Sequence, residues 1–160
     1  MIIKFFLLII IFVTGLAKAD PVIYGLKGLN NAFDTVAFYE YAKIKKAKPF
    51  IIEQNKIEYI NQILDKTQPN EYILYGFSFG ASTVSKIVKD RFIKNKSLPI
   101  EIITIGAYHT TDVDFTKYNV QFVNFFDLSG QKNKSPGYHL PNVPHMRMQQ
   151  VVNNILLGKP

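Results

Sequence analysis

The pentapeptide Gly76-Phe77-Ser78-Phe79-Gly80 carries the residue types and spacing in this sequence that point most directly to chemistry. It follows the apolar run Tyr72-Ile73-Leu74-Tyr75 and opens the stretch Ala81–Lys94, so a strand, a tight turn and a helix are expected in that order. A serine on such a turn lifts its hydroxyl above the sheet. Small residues two positions before and two after it let strand and helix close together. Gly76 and Gly80 meet that demand, and Ala81 adds a third small residue. The N–H of Phe79, at a helix N-terminus, would then face a developing oxyanion. The alternative is a glycine-rich strand-to-helix turn with an idle serine.

A serine hydroxyl is a poor nucleophile at neutral pH until a histidine takes its proton and a carboxylate orients that histidine. In a strand–turn–helix setting the partners follow in the order serine, acid, histidine. Asp127, at the end of the β-rich run Val120–Phe126, is the expected acid; a simple turn or cap before Leu128-Ser129-Gly130 is the other reading. Asp112 and Asp114, after the preceding apolar run, are the fallback acids. His145 directly precedes an amphipathic segment and is the expected base. His139 and His109 are the alternatives. The loop Tyr24-Gly25-Leu26-Lys27-Gly28-Leu29-Asn30-Asn31 carries two glycines that let its backbone approach a reacting carbonyl. It offers the Leu26 N–H as a second oxyanion donor, with Lys27 next, unless it is only an entry to the following helix. With no cysteine, and no helical i, i+4 spacing among the three histidines or to carboxylates, neither a metal site nor a cofactor is expected.

These groups need a scaffold. Short β-rich runs occur at Val22–Gly25, Phe50–Glu53, Tyr72–Gly76, Ile100–Gly106 and Val120–Phe126. Helical patterns occupy Phe33–Lys46, Ile57–Lys66, Ser82–Lys94 and Met146–Leu157. The runs at 72–75 and 100–105 are nearly continuous rather than alternating, as in strands buried on both faces of a parallel sheet. Ile57, Ile60, Ile63 and Leu64 form one stripe, and Met148, Val151, Val152, Ile155 and Leu156 another. Pro49, Pro69, Pro99, Pro136, Pro141 and Pro144 are expected in connections. The result is an α/β three-layer sandwich with a mostly parallel sheet of about five to six strands, its site at the carboxyl ends.

Composition limits the function classes further. The chain has 160 residues, 48% hydrophobic and 19% charged, which excludes a disordered tail. Lys4, the apolar run Phe5–Val13 and Ala17-Lys18-Ala19 have the pattern of a cleavable leader, too short for a stable membrane span. Residues 1–19 are therefore expected to be a signal peptide and 20–160 a single exported domain, periplasmic or secreted. Cleavage would leave 17 basic and 12 acidic residues, lowering the net charge from +7 to +5. The densest basic cluster, Lys43, Lys45, Lys46 and Lys48, has no interleaved aromatics for base stacking, so no nucleic-acid partner is expected.

Taken together, these segments resemble the α/β-hydrolase superfamily over most of residues 20–158. Gly76-Phe77-Ser78-Phe79-Gly80 resembles its nucleophile elbow, Tyr24-Gly25-Leu26-Lys27-Gly28 its oxyanion loop, and Pro144-His145 its histidine loop. Tyr24 stands where many members have His, and no insertion is long enough for a lid. The weak stretch Tyr138–Val143 is the only candidate for a last strand. The resemblance implies a minimal α/β-hydrolase fold with Ser78, Asp127 and His145 as nucleophile, acid and base. It implies a serine hydrolase acting on a small-molecule ester or thioester through an acyl-enzyme. A non-catalytic exported binding protein on the same fold is the competing expectation.

Overall fold

The computed structural model describes residues 19–53, 55–67, 71–115, 117–126 and 137–159. All but the last residue of the expected leader therefore lies outside the described residues. Six strands form one sheet: β1 (Val22–Leu26), β2 (Lys48–Ile52), β3 (Tyr72–Phe77), β4 (Glu101–Ile105), β5 (Gln121–Phe126) and β6 (Tyr138–His139). Their order is β2-β1-β3-β4-β5-β6, and every pairing is parallel. Four α-helices accompany them: α1 (Thr35–Ile44), α2 (Ile57–Asp65), α3 (Phe79–Ile93) and α4 (Met148–Leu156).

Successive side chains of a strand point to opposite faces, and here both faces are apolar. Ile23, Ile73, Tyr75, Phe77, Ile103, Ile105 and Phe125 face one layer, where Phe38, Tyr41 and Ala42 of α1 and Met148 and Val152 of α4 cover them. Tyr24, Leu26, Ile52, Tyr72, Leu74 and Ile102 face the other, under Ile60 and Leu64 of α2 and Val84, Ile87 and Val88 of α3. The chain is thus a helix–sheet–helix sandwich, with β3 and β4 buried along their whole length. Among the described residues no helix is long and apolar enough to cross a membrane.

Several boundaries differ from expectation for identifiable reasons. Pro49 is not in a connection but is the second residue of β2, paired in register with Ile23. An edge strand tolerates the missing N–H, and β2 pairs only with β1. Helix α3 begins at Phe79, three residues before the apolar periodicity that signals it, because the serine turn enters the helix directly. The Tyr138–Val143 stretch yields only the two-residue β6. In α4 the buried face carries Met148, Gln149, Val152 and Asn153, whereas Ile155 is exposed. The stripe is rotated toward two amides that pattern alone assigns to solvent.

Candidate active site

The turn between β3 and α3 sets the serine. Ser78 has φ 53° and ψ −119°, a sparsely populated conformation for a side chain with a Cβ. Such strain costs about 1–3 kcal/mol and persists only where the surroundings over-determine it. Here the Ser78 N–H donates to the Ile105 carbonyl at 2.8 Å, and the Ser78 carbonyl accepts from Ala81 N at 3.0 Å and Ser82 N at 3.2 Å. A Cβ on Gly76 would sit 2.6 Å from Ala81 Cα, and one on Gly80 would fall on the Leu26 carbonyl. Both flanking glycines are therefore required by contact with backbone. The side chain of Ser78 does not cap α3, so its hydroxyl is not consumed by the helix.

The histidine arrives from the other end of the chain. Pro144 leads into a 3-10 turn, His145–Arg147, that runs into α4. His145 Nε2 lies 2.9 Å from Ser78 Oγ, across 67 residues of sequence. Its ring stacks on Phe77 at 5.3 Å and lies tilted against Tyr108 at 6.2 Å. Gly106, with φ +66°, passes beneath it: a Cβ there would stand 2.7 Å from His145 Cε1 and 3.1 Å from Nδ1.

Helix α4 is itself anchored. Gln149 accepts from Asp34 N at 2.8 Å and donates to the Asp34 carbonyl at 3.0 Å. Asn153 donates to the Ala37 carbonyl and accepts from the Tyr75 hydroxyl at 3.0 Å. Asp34 in turn caps α1 through Ala37 N. Burial drives the Tyr75 hydroxyl well above its ordinary range, so it remains a donor to Asn153.

The other expected residues are placed as follows. Asp127 lies outside the described residues; it directly follows Phe126, the last residue of β5. Asp112 is exposed and ion-paired with Lys89 at 2.8 Å, and the Lys89 hydrogen bond holds its carboxyl below the usual range. Asp114 is exposed. His139 ends β6 with its ring stacked on Phe126 at 4.9 Å. His109 is exposed, and its N–H lies 3.4 Å from Ser82 Oγ. Of the three histidines, His145 is the one hydrogen-bonded to Ser78.

Phe79 starts α3, so its N–H belongs to the first turn, where no intrahelical acceptor exists. Leu26 ends β1, in register with Ile52 on one side and Gly76 on the other. Lys27 is the first residue past that ladder, with its ammonium on Glu53 at 2.8 Å. The next N–H, from Gly28, is taken by the Ala32 carbonyl at 2.9 Å. A Cβ on Gly28 would be 3.1 Å from Ser78 Cβ, so this loop runs directly beside the serine.

Sequence reasoning missed Gly106, Gln149 and Asn153. Gly106 was legible only as the end of an apolar run, and an amide pair four residues apart reads as a solvent-facing row. Among the described residues no group of three or more His, Asp or Glu could hold a metal ion. The chain matches no family model, no curated protein and no solved structure.

Proposed function

We propose that this protein is a serine hydrolase of the α/β-hydrolase type, cleaving an ester or thioester through an acyl-enzyme. The observation that carries the reading is the 2.9 Å hydrogen bond between His145 Nε2 and Ser78 Oγ, made on a strained turn at a helix N-terminus. The carboxyl-edge position of both residues on a parallel sheet supports it. Asp127, next after β5, is the proposed acid by its place between serine and histidine in the chain.

In the first step Ser78 Oγ forms a bond to the substrate carbonyl carbon while His145 Nε2 takes the hydroxyl proton. The oxyanion is received by the Phe79 N–H and by a second N–H from the β1–α1 loop. Leu26 and Lys27 are the candidates there, and Lys27 is favoured because it lies past the strand ladder. Losing one such donor typically costs about 3–4 kcal/mol of transition-state stabilisation. The bond from carbon to the leaving oxygen or sulfur then breaks, and His145 returns the proton to that leaving group. Water next gives its proton to His145 and its oxygen to the acyl carbon. The Oγ–carbon bond breaks, Ser78 regains the proton, and the acid departs. The leader pattern supports export of the mature chain, which cell fractionation would test.

Ser78→Ala is expected to keep the wild-type melting temperature and to lower p-nitrophenyl acetate turnover by at least about a thousandfold. A fluorophosphonate probe should label Ser78 in the wild type and nothing in the variant. Wild-type turnover by Ser78→Ala would overturn the proposal. Silence of the wild type toward the probe across pH 6–9 would favour a binding protein on the same fold.

A further inference from the structure

We propose that Asn55, in the connection between β2 and α2, is a positioning residue for the oxyanion hole that sets the direction of the Lys27 N–H. This rests on the serine-hydrolase reading above and adds a residue that does not itself touch substrate. Asn55 Nδ2 donates to the Lys27 carbonyl at 2.7 Å, across 28 residues of sequence. The other side of that peptide is also taken, since the Gly28 N–H donates to the Ala32 carbonyl at 2.9 Å. The preceding peptide is seated by the strand. Leu26 pairs in register with Gly76, and its carbonyl lies where a Cβ on Gly80 would fall. Lys27 thus stands between two fixed peptide planes, and its N–H belongs to the first of them.

Three observations single out Asn55. The loop it grips is irregular: Asn30 and Asn31 have φ 53° and 59°, in the left-handed region, so its path depends on contacts from outside. The same connection also offers Glu53 to the Lys27 ammonium at 2.8 Å, but the Glu53 side chain is 69% exposed. An exposed ion pair contributes little, and this one holds a flexible side chain. The Asn55 bond is part-buried and acts on the backbone itself. Finally, among the described residues Asn55 Oδ1 is buried with no hydrogen-bond partner. An amide buried with one side unsatisfied is a poor device for stability, and the satisfied side is the one on the loop. The first peptide plane is held at its Leu26 end by the strand, and at its Lys27 end through the plane that Asn55 fixes. Without the Asn55 donor that second hold loosens and the Lys27 N–H swings. An oxyanion donor acts only within about 3 Å of the oxygen, so a small swing removes its contribution.

The test compares p-nitrophenyl acetate with its thionoester analogue, in which sulfur replaces the carbonyl oxygen. Sulfur accepts hydrogen bonds weakly, so the thionoester draws little from an oxyanion hole. In Asn55→Ala, kcat/KM for the ester should fall about 10–100-fold. The thionoester should lose far less, so the ester-to-thionoester ratio drops about tenfold or more. Asn55→Asp keeps the shape of the side chain and removes its N–H, and should lower the ratio as far. Melting temperatures of both variants should shift by only a few degrees. A general disturbance of Ser78 or His145 slows both substrates alike and leaves the ratio where it was. An unchanged ratio in either folded variant would therefore overturn the positioning role and leave the hydrolase reading intact. If neither variant folded, Asn55 would be a structural residue and the proposal would be overturned. If the wild type hydrolysed neither substrate and a fluorophosphonate left Ser78 unlabelled, the hydrolase reading would fail and the proposal with it.

Discussion

At the scale of single residues, the site depends on glycines that no side chain could replace. Gly106 is the clearest case, because it combines a left-handed backbone with contact on His145. Alanine there meets a conformational cost of about 1–2 kcal/mol and drives a methyl group into the imidazole. Displacing a catalytic group by about 1 Å can cost on the order of a hundredfold in rate. Gly106→Ala is therefore expected to lower kcat/KM by about 10–100-fold while shifting the melting temperature by only a few degrees. Paired kinetics and thermal melts decide it: a full loss of folding, or unchanged kinetics, would contradict the placement of His145. Tyr24 shows a different logic. Its ring is buried and its hydroxyl meets Thr67 Oγ1 at 2.5 Å. It works in the core beneath α2 rather than at the serine.

At the scale of elements, the structure must hold the end of the chain against its beginning. Helix α4 carries His145 at its entrance, and Gln149 and Asn153 tie that helix to α1 and β3. Asn153→Ala removes the acceptor of the Tyr75 hydroxyl and a second donor to the Ala37 carbonyl, which keeps its bond within α1. Each buried group left unsatisfied costs about 1–3 kcal/mol. The variant should lose stability in that range in urea unfolding, and kcat should fall further than KM changes as the histidine loosens; wild-type values of both would refute the tether. The sheet and its flanking helices were legible because burial on both faces leaves continuous apolar runs such as Tyr72–Tyr75. The serine turn was legible because backbone contact at Gly76 and Gly80 forbids side chains. The tether was not, since an amide in the core and an amide in water have the same spelling. Pro49 misled for a related reason: its suitability depends on β2 lying at an edge, a property of strand order rather than of local sequence.

At the scale of the molecule, three tyrosines are interior structural groups. Tyr41 donates to Glu101 at 3.0 Å, Tyr72 to the Ser97 carbonyl at 2.7 Å and Tyr75 to Asn153 at 3.0 Å. Burial raises all three, with Tyr72 pushed up to about 12 and the other two higher. An unfolded chain releases tyrosine protons near pH 10, whereas the folded chain retains these. Above that pH the unfolded state binds fewer protons, so stability falls as pH rises. The loss is about 1.4 kcal/mol per pH unit for each tyrosine still protonated only in the folded state. Absorbance near 295 nm should show their ionisation only together with loss of circular dichroism; independent titration of all nine tyrosines in a folded protein would contradict this. The sheet also has two very different ends. Edge strand β2 begins Lys48-Pro49, with a solvent-exposed cation and a residue lacking an N–H. The opposite edge, β6, is two residues long. At the β2 border the missing Pro49 N–H and the Lys48 charge disfavour the addition of a strand from another molecule. The residues that close this border also make it a poor template for fibrous self-association.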